Sequence, residues 1–283
     1  MSVPVITQLL AKQHVHNGTY QAIFTDLDGT FVVEGSAAAA KAAAQLVQRA
    51  HINSWPLIAM TGRGSERLLH ELHSGILPAF SALISAGGSE ILLRRGDAYE
   101  PDALYAERMH RLFDRSQVLQ TAKRLATSAG GHFKLKLDSE LVEAHKVTYC
   151  FLAARPAEIE QVRDMFQSTF QKLKISVCED IYYLPADGAP QRYTLDILPA
   201  GKGDAIRYLM QAYGITGGIV AGDSGNDVDA LQVPGLQAVL VGNHQPTAQA
   251  ALAGTDVFID SPDRIGAQSI LHAIDIFGAD AYA

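Results

Sequence analysis

The sequence predicts an α/β fold, a doubly wound parallel sheet in a Rossmann-like core with a smaller α+β domain inserted into it. Short, continuously apolar runs alternate with helical patterns towards both ends of the chain, as expected of strands buried on both faces of a parallel sheet. The central part instead contains runs that alternate apolar and polar residues, which is typical of an antiparallel sheet with one solvated face. A chain of 283 residues is long enough for two such domains.

Five apolar runs predict the strands of the parallel sheet. In chain order they cover residues 22–25, 57–60, 82–85, 218–221 and 238–241. Helical patterns lie between them, over residues 36–50, 65–73 and 203–213. Because strands and helices alternate with short connections, residues 1–99 and 199–283 are predicted to form one doubly wound domain. Ligands bind such sheets at the carboxyl ends of the strands.

Residues 100–198 are predicted to form the inserted domain. Helical patterns cover 116–128 and 156–173, and the second carries an apolar stripe that includes Val162 and Phe166. Strand-like runs cover 133–137, 146–153, 174–178 and 193–197. Residues 1–20 precede the first strand and are predicted to be a helical or frayed extension. Their apolar stretch is too short to cross a membrane and lacks the basic start of a signal peptide, so we expect a cytoplasmic protein.

Composition limits the class of function. A hydrophobic content of 48% with 19% charged residues is sufficient for a packed core. The 23 basic and 30 acidic residues give a net charge of −7, which argues against nucleic-acid binding. A phosphate ester remains a compatible substrate, because a metal and a lysine can dominate the field inside a cleft. Cys150 and Cys178 lie in strand-like runs and are expected to be buried core side chains rather than a disulfide.

The strongest chemical signal is the segment Asp26-Leu27-Asp28-Gly29-Thr30, directly after the first predicted strand. Two carboxylates two residues apart at the end of a strand can face one cleft once the chain turns, and Gly29 permits the turn. Such a pair can supply a nucleophile and a general acid/base. A solvated Asp-Gly turn is the structural alternative.

A second acidic segment, Gly222-Asp223-Ser224-Gly225-Asn226-Asp227, follows the fourth predicted strand. Carboxylates at a strand–helix junction suit a hard cation such as Mg²⁺. Taken alone, the segment is also compatible with a polar loop that caps a helix. Because both acidic segments end strands of one predicted sheet, together they favour a metal site.

Two shorter motifs complete the predicted site. Thr61-Gly62-Arg63 follows the second predicted strand and offers a hydroxyl and backbone amides before a helix, an arrangement that binds anions. A threonine cap with a glycine turn is the alternative. Lys202, between Gly201 and Gly203, precedes the helix that leads to the second acidic segment. A solvated lysine is the alternative there.

In this order the motifs resemble those of the haloacid dehalogenase-like phosphohydrolases, over residues 20–270, and the long insertion resembles the α/β cap of one subgroup. Within that superfamily the chain most resembles the sucrose-6-phosphate phosphatase family, through residues 84–91, 101–115, 145–149, 195–199 and 222–227. It departs from that family at Gly29, where Asn or another polar residue is frequent, at Gly64, which replaces a serine, and in a shorter loop before Lys202.

The resemblance implies a Mg²⁺-dependent phosphatase that forms an aspartyl-phosphate, with sucrose-6-phosphate as the expected substrate. The implied catalytic residues are Asp26 as nucleophile, Asp28 as general acid/base, Thr61 and Lys202. The implied metal residues are Asp26, Asp28 through its backbone carbonyl, Asp223, and Asp227 directly or through water, with Ser224 and Asn226 in support. The implied substrate contacts are Thr61, Gly62, Arg63, Lys202 and, in the cap, Lys146, with Glu143 and His145 as further candidates.

Several alternatives stay open on the sequence alone. The substrate can be another glycosyl phosphate, and a sugar phosphomutase of similar architecture would carry the same motifs. Related domains that have lost their acidic residues act as non-catalytic partners of sugar-phosphate synthases, whereas this chain retains Asp26, Asp28 and Asp223. Whether a synthase partner exists is also open. A hinge near Glu100 and Leu198 is expected to let the cap close over a small-molecule sugar phosphate.

Overall fold

The computed structural model describes residues 22–128, 135–138, 143–180, 183, 185–187 and 189–280. The predicted N-terminal extension lies outside these residues. The chain divides into two compact units, a core unit that ends at Tyr105 and resumes at Lys202, and an inserted unit, Ala106–Gly201. Among the described helices, none has both the length and the apolar character needed to cross a membrane.

The secondary structure follows the predicted alternation. The strands are β1 (Ala22–Asp26), β2 (Leu57–Met60), β3 (Ala82–Ser85), β4 (Glu90–Arg95), β5 (Ala98–Pro101), β6 (Lys136–Leu137), β7 (Val147–Ala153), β8 (Lys174–Glu179), β9 (Gln191–Leu198), β10 (Gly218–Gly222), β11 (Gln237–Leu240) and β12 (Val257–Ile259). The helices are α1 (Ala37–Ile52), α2 (Ser65–His73), α3 (Ala103–Leu112), α4 (Arg115–Ser128), α5 (Pro156–Thr169), α6 (Lys202–Tyr213), α7 (Val228–Leu231), α8 (Pro246–Ala251) and α9 (Ala267–Asp280).

The core unit is built on an eight-stranded sheet with the order β12-β11-β10-β1-β2-β3-β4-β5. Strands β12 to β3 are parallel, whereas β4 and β5 run antiparallel to their neighbours. All five predicted parallel strands are confirmed. Because β1 lies between β10 and β2, the residues that follow these three strands meet at one edge, which we call the carboxyl edge.

Helix α1 shows how the sequence builds the layer beside this sheet. Ser36 caps the helix, its side chain accepting a hydrogen bond of 3.1 Å from the Ala39 N–H. The alanine-rich stretch then lets the helix approach the sheet closely, so that Ala42 and Leu46 are buried in one hydrophobic cluster with Leu57 of β2.

The inserted unit has a four-stranded antiparallel sheet with the order β6-β7-β9-β8, and helices α4 and α5. The predicted strands and helices are present, but two differ in extent. The second helix ends at Thr169 rather than at residue 173, and the first strand covers only Lys136–Leu137, with residues 133–134 outside the described part of the chain. Val147, Tyr149 and Phe151 alternate into the hydrophobic cluster. Cys150 and Cys178 are only half-buried, because both occupy the opposite phase of this alternation, so their expected burial was wrong.

The boundaries of the inserted unit differ from the predicted residues 100 and 198. The described unit begins at Ala106 because the preceding segment is tied to the core sheet. Strand β5 pairs with β4, and the Tyr105 hydroxyl donates a hydrogen bond of 2.5 Å to the Gly88 carbonyl. The role of the unit as a substrate-selecting cap remains a prediction.

Candidate active site

The first acidic segment begins at the end of β1. Asp26 is the last residue of this strand, is 4% exposed, and lies in register with Met60, which precedes Thr61. The chain then folds back, since the Phe31 N–H donates to the Asp26 carbonyl over 3.1 Å. Parallel pairing with β2 and β10 therefore places the predicted motifs side by side at the carboxyl edge.

Lys202 connects the two acidic segments. Its Nζ donates to Asp26 Oδ1 and to Asp227 Oδ1, both at 2.6 Å, and lies 3.3 Å from Asn226 Oδ1. The side chain is 2% exposed, so these contacts are shielded from water. The following Gly203 is sterically required, because a Cβ there would collide with the backbone carbonyl of Asp229. The predicted lysine is thus a buried bridge and not a solvated side chain.

Three carboxylates crowd around this ammonium group. Asp26, Asp223 and Asp227 each offer an oxygen, and these oxygens lie within 4.8 Å of one another. Burial, together with the neighbouring carboxylates, raises the pKa of Asp26 well above its ordinary value, although Lys202 opposes the shift. Burial and the Asp227 carboxylate raise the pKa of Asp223 to about 7. The cluster holds more negative charge than one lysine can balance, a condition that a divalent cation relieves.

Asp227 organises the turn after β10. Its Oδ2 accepts the backbone N–H groups of Asp223 and Ser224, both at 3.1 Å, while its Oδ1 accepts from Lys202. The Ser224 hydroxyl lies 2.8 Å from Asn226 Oδ1 and 3.1 Å from Asp227 Oδ2. Asp227 is therefore largely satisfied by protein donors, whereas Ser224 and Asn226 stabilise the turn.

Gly29 allows the first acidic segment to pack against the second. Its φ is +85°, and a Cβ there would lie 2.5 Å from Asp223 Oδ2. Thr30, the next residue, donates from its hydroxyl to Asp223 Oδ1 over 3.4 Å. A side chain at this position would therefore require the Asp223 carboxylate to shift.

Arg63 contacts Asp28 rather than standing open to solvent. Its Nε donates to Asp28 Oδ2 over 3.0 Å and its Nη2 pairs with Asp28 Oδ1. The opposite side of the guanidinium pairs with the buried Glu71 of α2, which also accepts from Arg67 over 2.9 Å. These carboxylates raise the pKa of Arg63 against the effect of burial. The predicted acid/base and the predicted substrate-binding arginine thus form one network.

Thr61 is buried in the loop that follows β2. Its backbone N–H donates to Ile84 and its carbonyl accepts from Gly87, both at 2.9 Å, and the Arg63 N–H donates to its hydroxyl over 3.1 Å. The hydrogen bonds to β3 and the turn after it hold this predicted anion loop in place.

The predicted sugar contacts lie in the inserted unit. Lys146 is 3% exposed along its side chain and pairs with Glu143, with Nζ and Oε1 3.2 Å apart. The ring of His145 lies 6.3 Å from that of His110 and 6.5 Å from that of Phe113. Lys146 and Glu143 therefore form a buried ion pair rather than an exposed polar edge.

Three residues of the core unit belong to the site but were given no role from the sequence. Thr30 stands within the first acidic motif and contacts Asp223. Asn243 follows β11, and a polar residue after an apolar strand is the same signal that identified Asp26 and Asp223. Glu71 gives no such signal, because one acidic residue in an amphipathic helix is ordinarily solvent-exposed.

The fold and the aspartate–lysine cluster at the carboxyl edge define the haloacid dehalogenase-like class. A phosphatase of the haloalkanoate (HAD) enzyme superfamily from Bacteroides thetaiotaomicron matches 93% of this chain and 98% of its own, with a TM-score of 0.63 and 17% identity. The sucrose-phosphatase of Synechocystis sp. PCC6803, solved with sucrose and phosphate, matches 92% of this chain and 98% of its own, with a TM-score of 0.71 and 23% identity. At these identities the likeness establishes the fold.

The model of the sucrose-6F-phosphate phosphohydrolase family matches residues 20–278. The chain belongs to this family, as its motifs predicted. Probable sucrose-phosphatase 2 from Arabidopsis thaliana is 29% identical over 170 residues, which are 57% of this chain. The match covers 36% of the length of that curated relative.

Proposed function

We propose that this protein is a Mg²⁺-dependent phosphatase that hydrolyses sucrose-6-phosphate to sucrose and phosphate. The observation that carries the proposal is the buried Lys202 bridge between Asp26 and Asp227, beside Asp223. This bridge brings the proposed nucleophile, the Lys202 ammonium group and two further carboxylates together at one edge of the sheet. Membership of the phosphohydrolase family supports the reaction, and the name of that family supports the sugar.

The carboxylate cluster fits Mg²⁺, because three buried aspartates offer oxygens within 4.8 Å of one another and a divalent cation would offset their crowded negative charge. Asp26 and Asp223 would hold the ion together with the Asp28 backbone carbonyl. We assign Asp227 to supporting contacts, since its oxygens already accept from Lys202, Asp223 and Ser224. When bound, the ion supplies positive charge that offsets the repulsion between the nucleophile and the phosphate.

That repulsion sets the main energetic requirement of the reaction. Two like charges about 4 Å apart cost roughly 4 kcal/mol at an effective dielectric constant near 20. This amounts to about three powers of ten in rate, so cationic compensation is necessary. Lys202 holds Asp26, and its ammonium charge would offset part of the repulsion from the incoming phosphoryl group. Thr61 and the amides near Gly62 would bind another phosphoryl oxygen.

In the proposed reaction Asp26 Oδ attacks phosphorus in line, and the bond from phosphorus to the sugar oxygen breaks. Asp28, as general acid, gives a proton to that oxygen. Asp28 then removes a proton from the water that attacks the aspartyl-phosphate, which releases phosphate and restores Asp26. Because Arg63 contacts both oxygens of Asp28, this ion pair must open when Asp28 transfers a proton.

The sugar moiety requires recognition beyond the phosphate and metal residues. Lys146 remains our proposed sugar contact, and its buried pairing with Glu143 supports a fixed position for the ammonium group. Replacing Lys146 alone would leave the Glu143 carboxylate buried without this partner. The variant Lys146→Met with Glu143→Gln removes both charges, and we expect it to raise the KM for sucrose-6-phosphate while phosphate release from p-nitrophenyl phosphate continues.

The proposal is tested by phosphate release from sucrose-6-phosphate, glucose-6-phosphate and phosphoglycolate, with Mg²⁺ and with excess chelator. We expect Mg²⁺-dependent release with a clear preference for sucrose-6-phosphate. Preference for another sugar phosphate would overturn the substrate assignment and retain the class of reaction. Release only in the presence of a bisphosphorylated sugar would identify a phosphomutase, and absence of release from every substrate would overturn the enzyme assignment.

A further inference from the structure

We propose that Asn243 is a positioning residue that fixes the distance between the nucleophile segment and Asp223, and thereby the Mg²⁺ affinity of the site. This inference rests on the proposed metal site of the core unit. It concerns a residue that touches neither the phosphate nor the metal in the mechanism above, and that acts through the backbone of Gly29.

Both ends of the Asn243 amide are used. Nδ2 donates to the Gly29 carbonyl over 2.7 Å, and Oδ1 accepts the Gly266 N–H over 2.7 Å. Two hydrogen bonds of this length through one short side chain leave it little rotational freedom. Asn243 therefore links the segment after β1 to the segment that leads into α9.

Gly29 and Gly266 each pack against the acidic site. A Cβ on Gly29 would lie 2.5 Å from Asp223 Oδ2, so the Gly29 backbone lies directly against that carboxylate. A Cβ on Gly266 would lie 2.5 Å from the Thr30 carbonyl oxygen. Both glycines have positive φ, at +85° and +55°. Asn243 therefore joins two backbone segments that pack closely against Asp223 and Thr30.

The segment that carries Asn243 is also bonded to the second acidic segment. The Gln245 N–H donates to the Asp223 carbonyl over 2.8 Å, and the Val241 N–H donates to the Gly222 carbonyl over 3.1 Å. Residues 241–245 thus contact the backbone on both sides of the proposed metal site. Within this segment, the Asn243 amide makes the contact with Gly29, because its Nδ2 donates to the Gly29 carbonyl.

The chemistry of the side chain makes the inference testable. Asp has almost the same shape as Asn but has no N–H donor, so Asn243→Asp retains an acceptor for Gly266 and places an oxygen against the Gly29 carbonyl. Asn243→Ala removes both contacts and adds no charge. If Asn243 acts through Gly29, both variants weaken Mg²⁺ binding. If it acts only as a brace for Gly266, Asn243→Asp retains the affinity.

The matched control is Asn53, whose Nδ2 also donates to a backbone carbonyl, that of Arg49, over 2.8 Å at the exposed end of α1. Mg²⁺ binding is measured by calorimetry without substrate for the wild type, Asn243→Asp, Asn243→Ala and Asn53→Asp. Loss of one such hydrogen bond corresponds to about a tenfold change in an equilibrium constant. We expect the Mg²⁺ dissociation constant to rise about tenfold in both Asn243 variants, and to stay unchanged in Asn53→Asp.

Turnover provides the second readout. Positioning of the metal segment predicts a lower kcat at saturating Mg²⁺ with an unchanged KM. A lower melting temperature with unchanged Mg²⁺ affinity in Asn243→Ala, or unchanged affinity in Asn243→Asp, would reduce Asn243 to a structural brace and overturn the inference. If the wild type binds Mg²⁺ and hydrolyses no sugar phosphate, the proposed function fails while the binding data still decide the role of Asn243. If the wild type binds no Mg²⁺, both proposals fail.

Discussion

Three aspartates of the core unit form a buried cluster with one lysine. Asp26 and Asp227 share the ammonium group of Lys202, and Asp223 lies beside them. Burial makes the charged forms of Asp26 and Asp223 costly, and this raises their pKa values. Binding of either a proton or a cation would therefore stabilise the cluster.

The raised pKa of Asp223 predicts pH-dependent Mg²⁺ binding. The protonated form is favoured in the fold, so this group contributes stability below its ordinary pKa of 3.8 and loses that contribution as pH rises through about 7. Below pH 7, Mg²⁺ must displace the proton, so its affinity falls by up to about tenfold per pH unit. Calorimetry at pH 6 and pH 8 is expected to show weaker binding at pH 6. Equal affinities would contradict the shift.

Glu71 is predicted to support the site through Arg63. The Glu71 and Arg63 side chains are each 11% exposed, whereas Arg67, the second partner of Glu71, is 59% exposed. Removing one member of a buried pair costs about 3 kcal/mol, and removing an exposed partner costs about 0–1 kcal/mol. Urea unfolding is therefore expected to show a large loss for Glu71→Ala and a small one for the control Arg67→Ala. Because Glu71→Ala removes both pairs, equal losses would show that the Arg63 pair adds nothing to stability.

At the scale of elements, the helix that begins at Lys202 is anchored by a buried carboxylate. Asp102, which follows β5, is 5% exposed and accepts from the hydroxyls of Tyr208 at 2.7 Å and Tyr213 at 2.5 Å, both on α6. Burial and the Asp102 carboxylate raise the pKa of Tyr213, so this phenol stays protonated and keeps donating at neutral pH. These bonds tie the end of β5 to the helix that begins at Lys202.

This anchor predicts coupling between Asp102 and Tyr213. Tyr213→Phe removes a hydrogen bond to a charged group and is expected to cost about 1–2 kcal/mol in the free energy of unfolding. In an Asp102→Asn background the same change is expected to cost less, because the charged acceptor is gone. A double-mutant cycle measures the coupling. Strictly additive losses would show that Tyr213 stabilises α6 independently of Asp102.

The parallel strands were predictable because burial on both faces leaves a continuous apolar run, as in β1 and β10. Strands β4 and β5 were missed, since β4 ends in charged residues and β5 is mostly exposed at the edge of the sheet. Strand β12 is three residues long, too short for a pattern to stand out. The order of the strands also had to come from the structure, because no local pattern specifies which strands pair.

The same limit applies to the site. Motifs that follow strands indicated Asp26, Asp223 and Lys202, because each chemical group stands next to a structural signal in the sequence. The contact of Arg63 with Asp28 and Glu71, and that of Asn243 with Gly29, join segments that are distant along the chain or on different elements. Such contacts form only once the sheet has assembled. They could therefore not be predicted from local patterns in one sequence.

At the scale of the whole molecule, each compact unit has its own hydrophobic cluster. Leu46 is fully buried in the cluster of the core unit and Phe166 in that of the inserted unit. Truncating a large buried side chain costs about 3–5 kcal/mol. We therefore expect two transitions in urea. Phe166→Ala is expected to shift the transition that leaves Mg²⁺ binding intact. Leu46→Ala is expected to shift the transition in which Mg²⁺ binding is lost. A single transition shifted equally by both variants would contradict separate cores.

In the proposed reaction Asp26, held by Lys202 at the carboxyl edge, becomes covalently phosphorylated during turnover. The most direct test of this step is mass spectrometry of the peptide that contains Asp26, after acid quenching of the enzyme during turnover of sucrose-6-phosphate with Mg²⁺. We expect a phosphoryl adduct on Asp26 in the wild-type protein. A folded Asp26→Asn variant is expected to show neither the adduct nor phosphate release. Phosphate release by that variant at a rate near that of the wild type, or an adduct on another residue, would contradict the proposed reaction.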